Sequence, residues 1–434
     1  MMAAPLMLTP PLGAHPVRGP VLVAFSGGLD SSVLLHRLAG DPAVRTRGLR
    51  AIHVHHGLQP AADDWAAHCQ RNCARLGVPL AVVRVAVAAG SGPANEGAAR
   101  TARHAAFADA LGDGEVLALA HHRDDQAETF LLRALRGSGV DGLAAMRAWR
   151  PYAAGWLWRP LLGLPRSALL AHAREHRLDW IEDPSNARDE ADRNFLRLRV
   201  LPLLRLRWPQ ADAALARSAG LAAEAAQLLD TEDAHALAAL RGSDGALAIA
   251  ALRDLPAARR ARLLRRWVGE SGLPPLPARI VTRVEHELLD ARADAHACAE
   301  WPGAWIRAWR GGLHAGRHAP PLPADWEAGW DGRAPLSLPA GGTLALTGCD
   351  GFGTPLRVHA RRGGERLRLP GRAHTHALKH LLQDTGIPPW QRARLPLLSS
   401  ADGTLLAAGD ALLSAEFAAW LDARGARLRW SALA

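Results

Sequence analysis

Val21-Leu22-Val23-Ala24-Phe25-Ser26-Gly27-Gly28-Leu29-Asp30-Ser31-Ser32 reads as a strand that turns directly into a helix. Five consecutive apolar residues, rich in valine, suit a strand buried on both faces of a parallel sheet. Ser26-Gly27-Gly28 breaks the strand. Asp30, Ser31 and Ser32 then offer capping side chains before the apolar run Val33-Leu34-Leu35 and Leu38. Two adjacent glycines let several backbone N–H groups converge, and a helix N-terminus adds partial positive charge. Such a nest suits a polyphosphate. A glycine turn between strand and helix also serves merely to pack the two together, so the whole Ser-Gly-Gly-Leu-Asp-Ser string carries the information.

The chain cannot be a kinase of the Walker type. That loop needs Gly-x-x-x-x-Gly-Lys-Ser/Thr, with the lysine reaching the outer phosphates. The only lysine is Lys379, far from any glycine loop of that kind. At 434 residues the chain holds more than one domain. No apolar run reaches the length of a membrane helix, and the Pro-rich first twenty residues lack the basic start of a signal peptide. Cys69, Cys73, Cys298 and Cys349 form no disulfide framework, so a reducing, cytoplasmic setting is expected. The net charge of +10 rests almost wholly on arginine. A basic surface favours nucleic acid, and guanidinium groups bind phosphate in bidentate fashion. Genome composition explains the choice of arginine over lysine. It does not explain the sign of the net charge.

Strands are expected at 49–55, 80–87 and 116–120. Between them lie helices from Asp63 and from Asn95-Glu96, and another helix follows 121–129. This alternation describes an α/β doubly wound parallel sheet with ligands at the strand C-terminal ends. There the chemically active residues collect: Ser26 to Ser31, His53, His55 and His56, and His121 to Glu128. Asp124 and Glu128 share a helical face, as do Asp125 and Thr129. Zinc spacing is absent, and hard carboxylates beside a phosphate loop suit Mg²⁺ better, with Asp30 and Asp124 as its ligands. Simple N-capping is the alternative role for Asp124 and Asp125, as helix capping is for Asp30.

Downstream, Arg193, Arg197 and Arg199 lie close together in a segment that as a helix scatters them, and that reads equally as a solvated charged face. Residues 211–240 are helical. Arg259 to Arg266 alternate with Leu263, Leu264 and Trp267, either an ordinary amphipathic helix or an RNA contact. The expected divisions are a catalytic domain at 1–210, a helical substrate domain at 211–318, a linker or irregular edge at 319–349, and a small basic α+β domain at 350–434. A helix is expected at His374 to Leu382 in the last of these.

The glycine loop resembles the pyrophosphate-binding loop of ATP pyrophosphatases, which cleave ATP between its α- and β-phosphates. Further motifs are His53-Val54-His55-His56-Gly57-Leu58, His121 to Thr129, Asp192-Arg193-Asn194-Phe195-Leu196-Arg197, Arg361-Arg362-Gly363-Gly364 and Pro388-Pro389-Trp390. With these the chain resembles the tRNA(Ile)-lysidine synthase family over nearly its whole length. The resemblance implies a ligase that joins L-lysine to C2 of the wobble cytidine of the CAU-anticodon isoleucine tRNA. ATP is converted to AMP and pyrophosphate through an adenylated cytidine, with Mg²⁺, and the tRNA switches from AUG to AUA.

It implies phosphate binding by Ser26, Gly27, Gly28, Leu29, Asp30 and Ser31. Catalytic or base-positioning roles fall to Asp30, His121, His122, Asp124, Asp125 and Arg193, with an ordinary histidine near pKa 6.5 able to take the amine's proton. Substrate and tRNA contacts fall to Arg103, Arg193, Arg197, Arg361 and Arg362. A homodimer is compatible with it. The competing readings are another PP-loop tRNA-modifying enzyme, such as a thiolation enzyme, and a non-catalytic RNA-binding relative. A thiolation enzyme typically has a Cys-x-x-Cys pair, and none is present. Mere scaffolding needs no carboxylates beside the loop.

Overall fold

Val21, Leu22 and Val23 are completely buried because β1 (Val21–Ala24) is an inner strand with parallel neighbours on both sides. The computed structural model describes residues 7–8, 10–57, 59–86, 93–184, 189–290 and 297–431. It falls into two units, Met1–Thr231 and Glu232–Ala434.

In the first unit β1 is followed by α1 (Leu29–Ala39), α2 (Pro42–Arg47), β2 (Leu49–His55), α3 (Ala62–Arg75) and β3 (Leu80–Arg84). Next come α4 (Pro93–Ala110), β4 (Val116–Ala118), α5 (Arg123–Leu135), α6 (Val140–Leu143), β5 (Trp149–Tyr152), β6 (Gly155–Trp158) and α7 (Arg166–Glu175). The side chains at 93–96, where a helix start was expected, lie outside the described residues. Strand order is β3-β2-β1-β4-β6-β5, parallel throughout except for the β5–β6 hairpin at the edge.

Alternate residues of β1 feed two cores. Val21 and Val23 pack with Leu34, Leu38, Cys69, Cys73 and Leu169 from α1, α3 and α7. Leu22 packs on the other face with Ile52, Leu117, Phe107 and Leu111. The sheet is thus covered on both sides, as its unbroken apolar strands require. The chain leaves β1 toward β2 on one side and reaches β4 on the other. The C-terminal ends of β1 and β4 therefore flank the crevice where strand order reverses. Cys69 and Cys73 are core residues, and burial pushes their thiols up to about 12 and about 11.

After α7 the chain forms α8 (Asp192–Phe195), one π-helical turn over Leu196–Val200, and α9 (Leu201–Arg207). Pro202, lacking an N–H, opens α9, and a wider turn accommodates the missing bond. The Ala/Leu-rich stretch is α10 (Ala211–Leu240).

The second unit begins with β7 (Leu247–Ala248), α11 (Ile249–Arg253), α12 (Ala257–Glu270), α13 (Ala278–Arg283), β8 (Cys298–Trp301), β9 (Ala304–Trp309) and β10 (Gly312–Gly316). Leu263, Leu264, Trp267 and Val268 of α12 pack on this sheet. Its arginines are largely tied to carboxylates, Arg262 to Asp233 and Arg266 to Glu270, so the basic run is the polar face of an amphipathic helix.

The stretch 319–349 is not the linker or irregular edge expected. It supplies β11 (Glu327–Trp330), β12 (Leu336–Ser337) and β13 (Thr343–Thr347). Apart from Gly329, which lies in β11, its prolines and glycines sit outside these short strands. Then follow β14 (Leu356–His359), β15 (Arg366–Leu367), β16 (His376–Ala377), α14 (Leu378–Asp384), α15 (Pro389–Arg392), β17 (Leu397–Ser399), β18 (Leu405–Ala408), β19 (Leu412–Leu413), α16 (Ala415–Asp422) and β20 (Arg427–Ser431). They form sheets β11-β14-β17-β18-β19, β12-β13-β20 and β15-β16. The helix expected from His374 starts only at Leu378, because His376 and Ala377 pair with Leu367 and Arg366.

The tightest backbone approach in the first sheet is at Gly155, where a Cβ would lie 2.1 Å from Glu115 O. Gly155→Ala must push β6 away from β4. It is expected to lower unfolding stability by about 2 kcal/mol or more in a denaturant titration. An unchanged midpoint would contradict the packing described.

Candidate active site

Gly27 has φ +84°, and a Cβ there would fall 2.6 Å from Ile181 Cδ1 and 2.9 Å from Cys69 Sγ. Glycine is therefore demanded twice, by conformation and by space. The Ile181 N–H donates to Gly27 O (2.9 Å), and Gly28 forms a parallel bridge with Ile181. Inside the loop, the Ser26 and Ser31 hydroxyls are 3.0 Å apart, Ser31 donates to Gly28 O and Ser32 to Gly27 O. Helix α1 starts at Leu29 with Gly28 as its cap and no side-chain capping bond. Asp30 thus lies within the first turn and does not cap it. Its carboxylate is left for another purpose.

That carboxylate faces His122. Asp30 Oδ2 is 3.6 Å from His122 Nε2, while Asp30 Oδ1 is buried without a hydrogen-bond partner. His122 Nε2 is also 3.4 Å from Asp125 Oδ2, and its Nδ1 is 3.7 Å from Asp124 Oδ1. Burial pulls the His122 pKa down, but the Asp30 carboxylate and the charges of Asp125 and Asp124 outweigh it, and the net shift is upward. His122 sits among three carboxylates, all of which favour its protonated form.

Asp124 and Asp125 sit in the first turn of α5. Asp125 does perform a capping task, its Oδ2 accepting the His122 N–H at 2.9 Å. Although burial opposes it, the charges of His122 and Arg193 and the hydrogen bond from the His122 N–H bring the Asp125 carboxyl down to about 2. Both oxygens of Asp124 are engaged: Oδ1 accepts the Arg166 N–H (3.0 Å) and Oδ2 accepts from Arg205 (3.2 Å). Of the two carboxylates expected to hold Mg²⁺, Asp124 is thus taken up by protein donors, while Asp30 Oδ1 has none. Among the described residues no group of three or more His, Cys, Asp or Glu side chains is placed to hold a metal by itself.

One turn further along α5 lies Glu128, completely buried. Arg193 Nε donates to Glu128 Oε2 (2.7 Å) and Nη2 to Asp125 Oδ1 (3.1 Å). Arg197 Nε donates to Glu128 Oε1 (2.7 Å), and Nη2 reaches Asp125 Oδ1 (3.1 Å) and Glu128 Oε2 (3.0 Å). The arginines of this segment are not scattered. Arg193 and Arg197, four apart on one helical face, clamp the 192–207 helix to α5, while Arg199 turns away to Asp189. Arg205, which the sequence did not single out, is bidentate to Asp212 at 2.6 and 2.8 Å. Glu128 was visible as a face-mate of Asp124, but its two arginine partners were not.

His121 accepts a hydrogen bond at Nδ1 from Arg159 Nε (3.2 Å). Burial first, then the positive charges of Arg159, Arg193 and Arg100, lower its pKa to about 3 against the pull of Asp125. A neutral ring that accepts at Nδ1 carries its proton on Nε2. Its surroundings thus hold the His121 ring well below the ordinary histidine pKa expected from sequence, with the proton on Nε2.

The remaining candidates lie elsewhere. Arg103 on α4 donates to His56 Nε2 at 3.2 Å. Arg361 and Arg362, in the second unit, face Glu365 and Glu327. The Glu365 carboxylate accepts the N–H groups of Arg362 and Gly363 and so organises the Arg-Arg-Gly-Gly turn.

An uncapped helix N-terminus behind Ser-Gly-Gly-Leu-Asp-Ser, at the switch point of a 3-2-1-4 parallel sheet, defines an ATP-binding domain of the PP-loop class. Residues 12–204 match the PP-loop domain, 247–314 the TilS substrate binding domain, and 356–430 the TilS substrate C-terminal domain. The tRNA(Ile)-lysidine synthase of Xylella fastidiosa (strain Temecula1) is 59% identical over 416 residues, 95% of each chain. That of Xanthomonas axonopodis pv. citri is 56% identical over 429 residues, 98% of this chain and 97% of the relative. A crystal structure of the TILS C-terminal domain is 26% identical, with a TM-score of 0.21, and is matched over 25% of this chain and 99% of its own. The chain belongs to the tRNA(Ile)-lysidine synthase family and is an ATP-dependent, lysidine-forming ligase.

Glu128→Gln removes the charge that neutralises Arg193 and Arg197. A loss of about 3 kcal/mol in unfolding free energy is expected, since breaking a buried pair strands its partner. Wild-type stability would show that the clamp is not under load.

Proposed function

We propose that this ligase joins L-lysine to C2 of the wobble cytidine of an isoleucine tRNA with a CAU anticodon, turning an AUG-reading anticodon into an AUA-reading one. The C2 carbonyl of cytosine is a poor electrophile. Its oxygen first attacks the α-phosphate of ATP and expels pyrophosphate. The lysine amine then attacks C2, and AMP departs with that oxygen, leaving the C–N bond of lysidine. The observation that carries the assignment is the pairing of an uncapped α1 N-terminus with the Asp30 carboxylate, one oxygen of which is buried and unpaired.

In this scheme Ser26, Gly27, Gly28, Leu29 and Ser31 hold the departing pyrophosphate by backbone and hydroxyl donors. Asp30 would hold Mg²⁺, which would supply charge neutralisation for the leaving group. His122 positions Asp30 by charge, and Asp124 and Asp125 keep His122 protonated. His121 donates from Nε2 to the base or the phosphate. Arg193 and Arg197 fix the crevice wall through Asp125 and Glu128, and Arg103 stands on α4 for an RNA or phosphate contact.

We assign ATP chemistry to residues 1–210 and tRNA binding to 211–318 and 350–434. Exposed Arg366, Arg372 and Lys379 support the last. No helix among the described residues is long and apolar enough to cross a membrane. Free cysteines fit a cytoplasmic setting.

Asp30→Asn keeps the side chain's shape and removes its charge. Pyrophosphate release dependent on tRNA and lysine is expected to fall about 100-fold or more, with tRNA affinity nearly unchanged. Equal loss of both would remove Asp30 from the chemistry.

A further inference from the structure

The sheet β7-β10-β9-β8 has two unlike faces. Ala304, Ile306, Ala308 and Leu313 pack inward with α12. Strand alternation places Trp305, Arg307 and Trp309 on the outer face, and His314, paired with Arg307, joins them. Onto this face comes Trp390, from the Pro388-Pro389-Trp390 turn that opens α15. Its ring centroid is 5.1 Å from Trp305, 5.9 Å from Trp309 and 5.2 Å from His314. The Arg307 guanidinium lies over Trp305 at 4.6 Å and Trp390 at 5.7 Å.

The same contact gathers cations. Arg310, stacked on Trp309 at 4.9 Å, donates to the carbonyl of Gln383. Arg392 Nε donates to the carbonyl of Ile387 at 2.7 Å. Two arginines from different modules thus grip one turn, 383–387. At Gly386, in the left-handed region, a Cβ would fall 2.8 Å from Arg310 Nη1, so glycine leaves room for the guanidinium. Burial, then the nearby positive charges of Arg361 and Arg310, lowers the Arg392 pKa. Like charges assembled this way are repulsive unless an anion joins them. Nothing in the ATP chemistry uses this cluster.

We propose that Trp390 is a latch between the substrate-binding sheet and the C-terminal module, and that by closing it sets Arg310 and Arg392 on one turn as a binding site for an RNA backbone phosphate. Trp390 is a positioning residue and touches no reacting atom. The site rests on the tRNA reading above and specifies where that RNA is held. Fixing two modules in one orientation makes the second contact intramolecular and raises affinity through pre-organisation alone.

The test measures binding of CAU-anticodon isoleucine tRNA to the full chain across a salt series, together with steady-state kinetics. Arg310→Gln/Arg392→Gln is expected to weaken binding about tenfold and to reduce the salt slope by ~2, about one for each arginine–phosphate pair removed. Trp390→Ala is expected to give a similar loss, raising the tRNA KM about tenfold with much less effect on kcat, and Trp390→Phe to restore most of it. Combining Trp390→Ala with the double arginine change is expected to add little. Should Trp390→Ala not fold, the arginine variant and Trp390→Phe carry the test. Wild-type affinity and slope in the arginine variant overturn the phosphate site. Fully additive losses overturn the latch. If the wild-type chain itself binds no tRNA, the functional reading fails instead.

Discussion

Charge neutralisation around the N-terminal turns of α5 is the constraint on which the catalytic unit depends. Asp30, Asp124, Asp125 and Glu128 converge there, and Asp125 and Glu128 are buried. Carboxylates this close cannot remain ionised unless cations match them. His122 enters from the end of β4, and Arg193, Arg197 and Arg205 enter from the helix after residue 192. Remove the arginines and the carboxylates must take up protons or push apart. The fold thus matches its clustered acids with fixed cationic partners. One oxygen of Asp30 is left outside this network, beside the phosphate loop, and that exception points toward the ligand.

The sheet makes this arrangement inevitable in place. Opposite exits of β1 and β4 open a crevice at their C-terminal ends, and the two loops facing each other across it carry Ser26 to Ser31 and His121 to Asp125. A helix N-terminus contributes positive potential on one side, and compensated carboxylates line the other. A triphosphate approaching this crevice meets backbone donors first.

The β1–loop–α1 unit was legible because its apolar run, paired glycines and following helix all demand the same local structure. Strands β2, β3 and β4 were legible from their apolar runs, though β3 and β4 stop earlier than expected, at Arg84 and Ala118, while β6 was not singled out. The partnership of Arg193 and Arg197 with Asp125 and Glu128 was not. Both spacings are visible, but nothing in either segment states that its partner lies some seventy residues away. The pKa of His121 was equally hidden, since it depends on burial and on Arg159. The strands of 319–349 escaped because two- to five-residue strands separated by proline and glycine carry little periodicity. At His376-Ala377, pairing with Arg366-Leu367 overrode the helical pattern that begins next door.

The hydrogen bond from Ile181 to Gly27 has a temporal side. A nascent chain emerging from the ribosome makes the Ser-Gly-Gly turn first, yet the residue that braces it follows more than 150 positions later. Arg193, Arg197 and Arg205, which neutralise the acids of α5, follow later still. Until these have emerged, the half-made domain exposes an unbraced loop and unbalanced acids. The phosphate site is among the earliest segments translated and among the last to become whole.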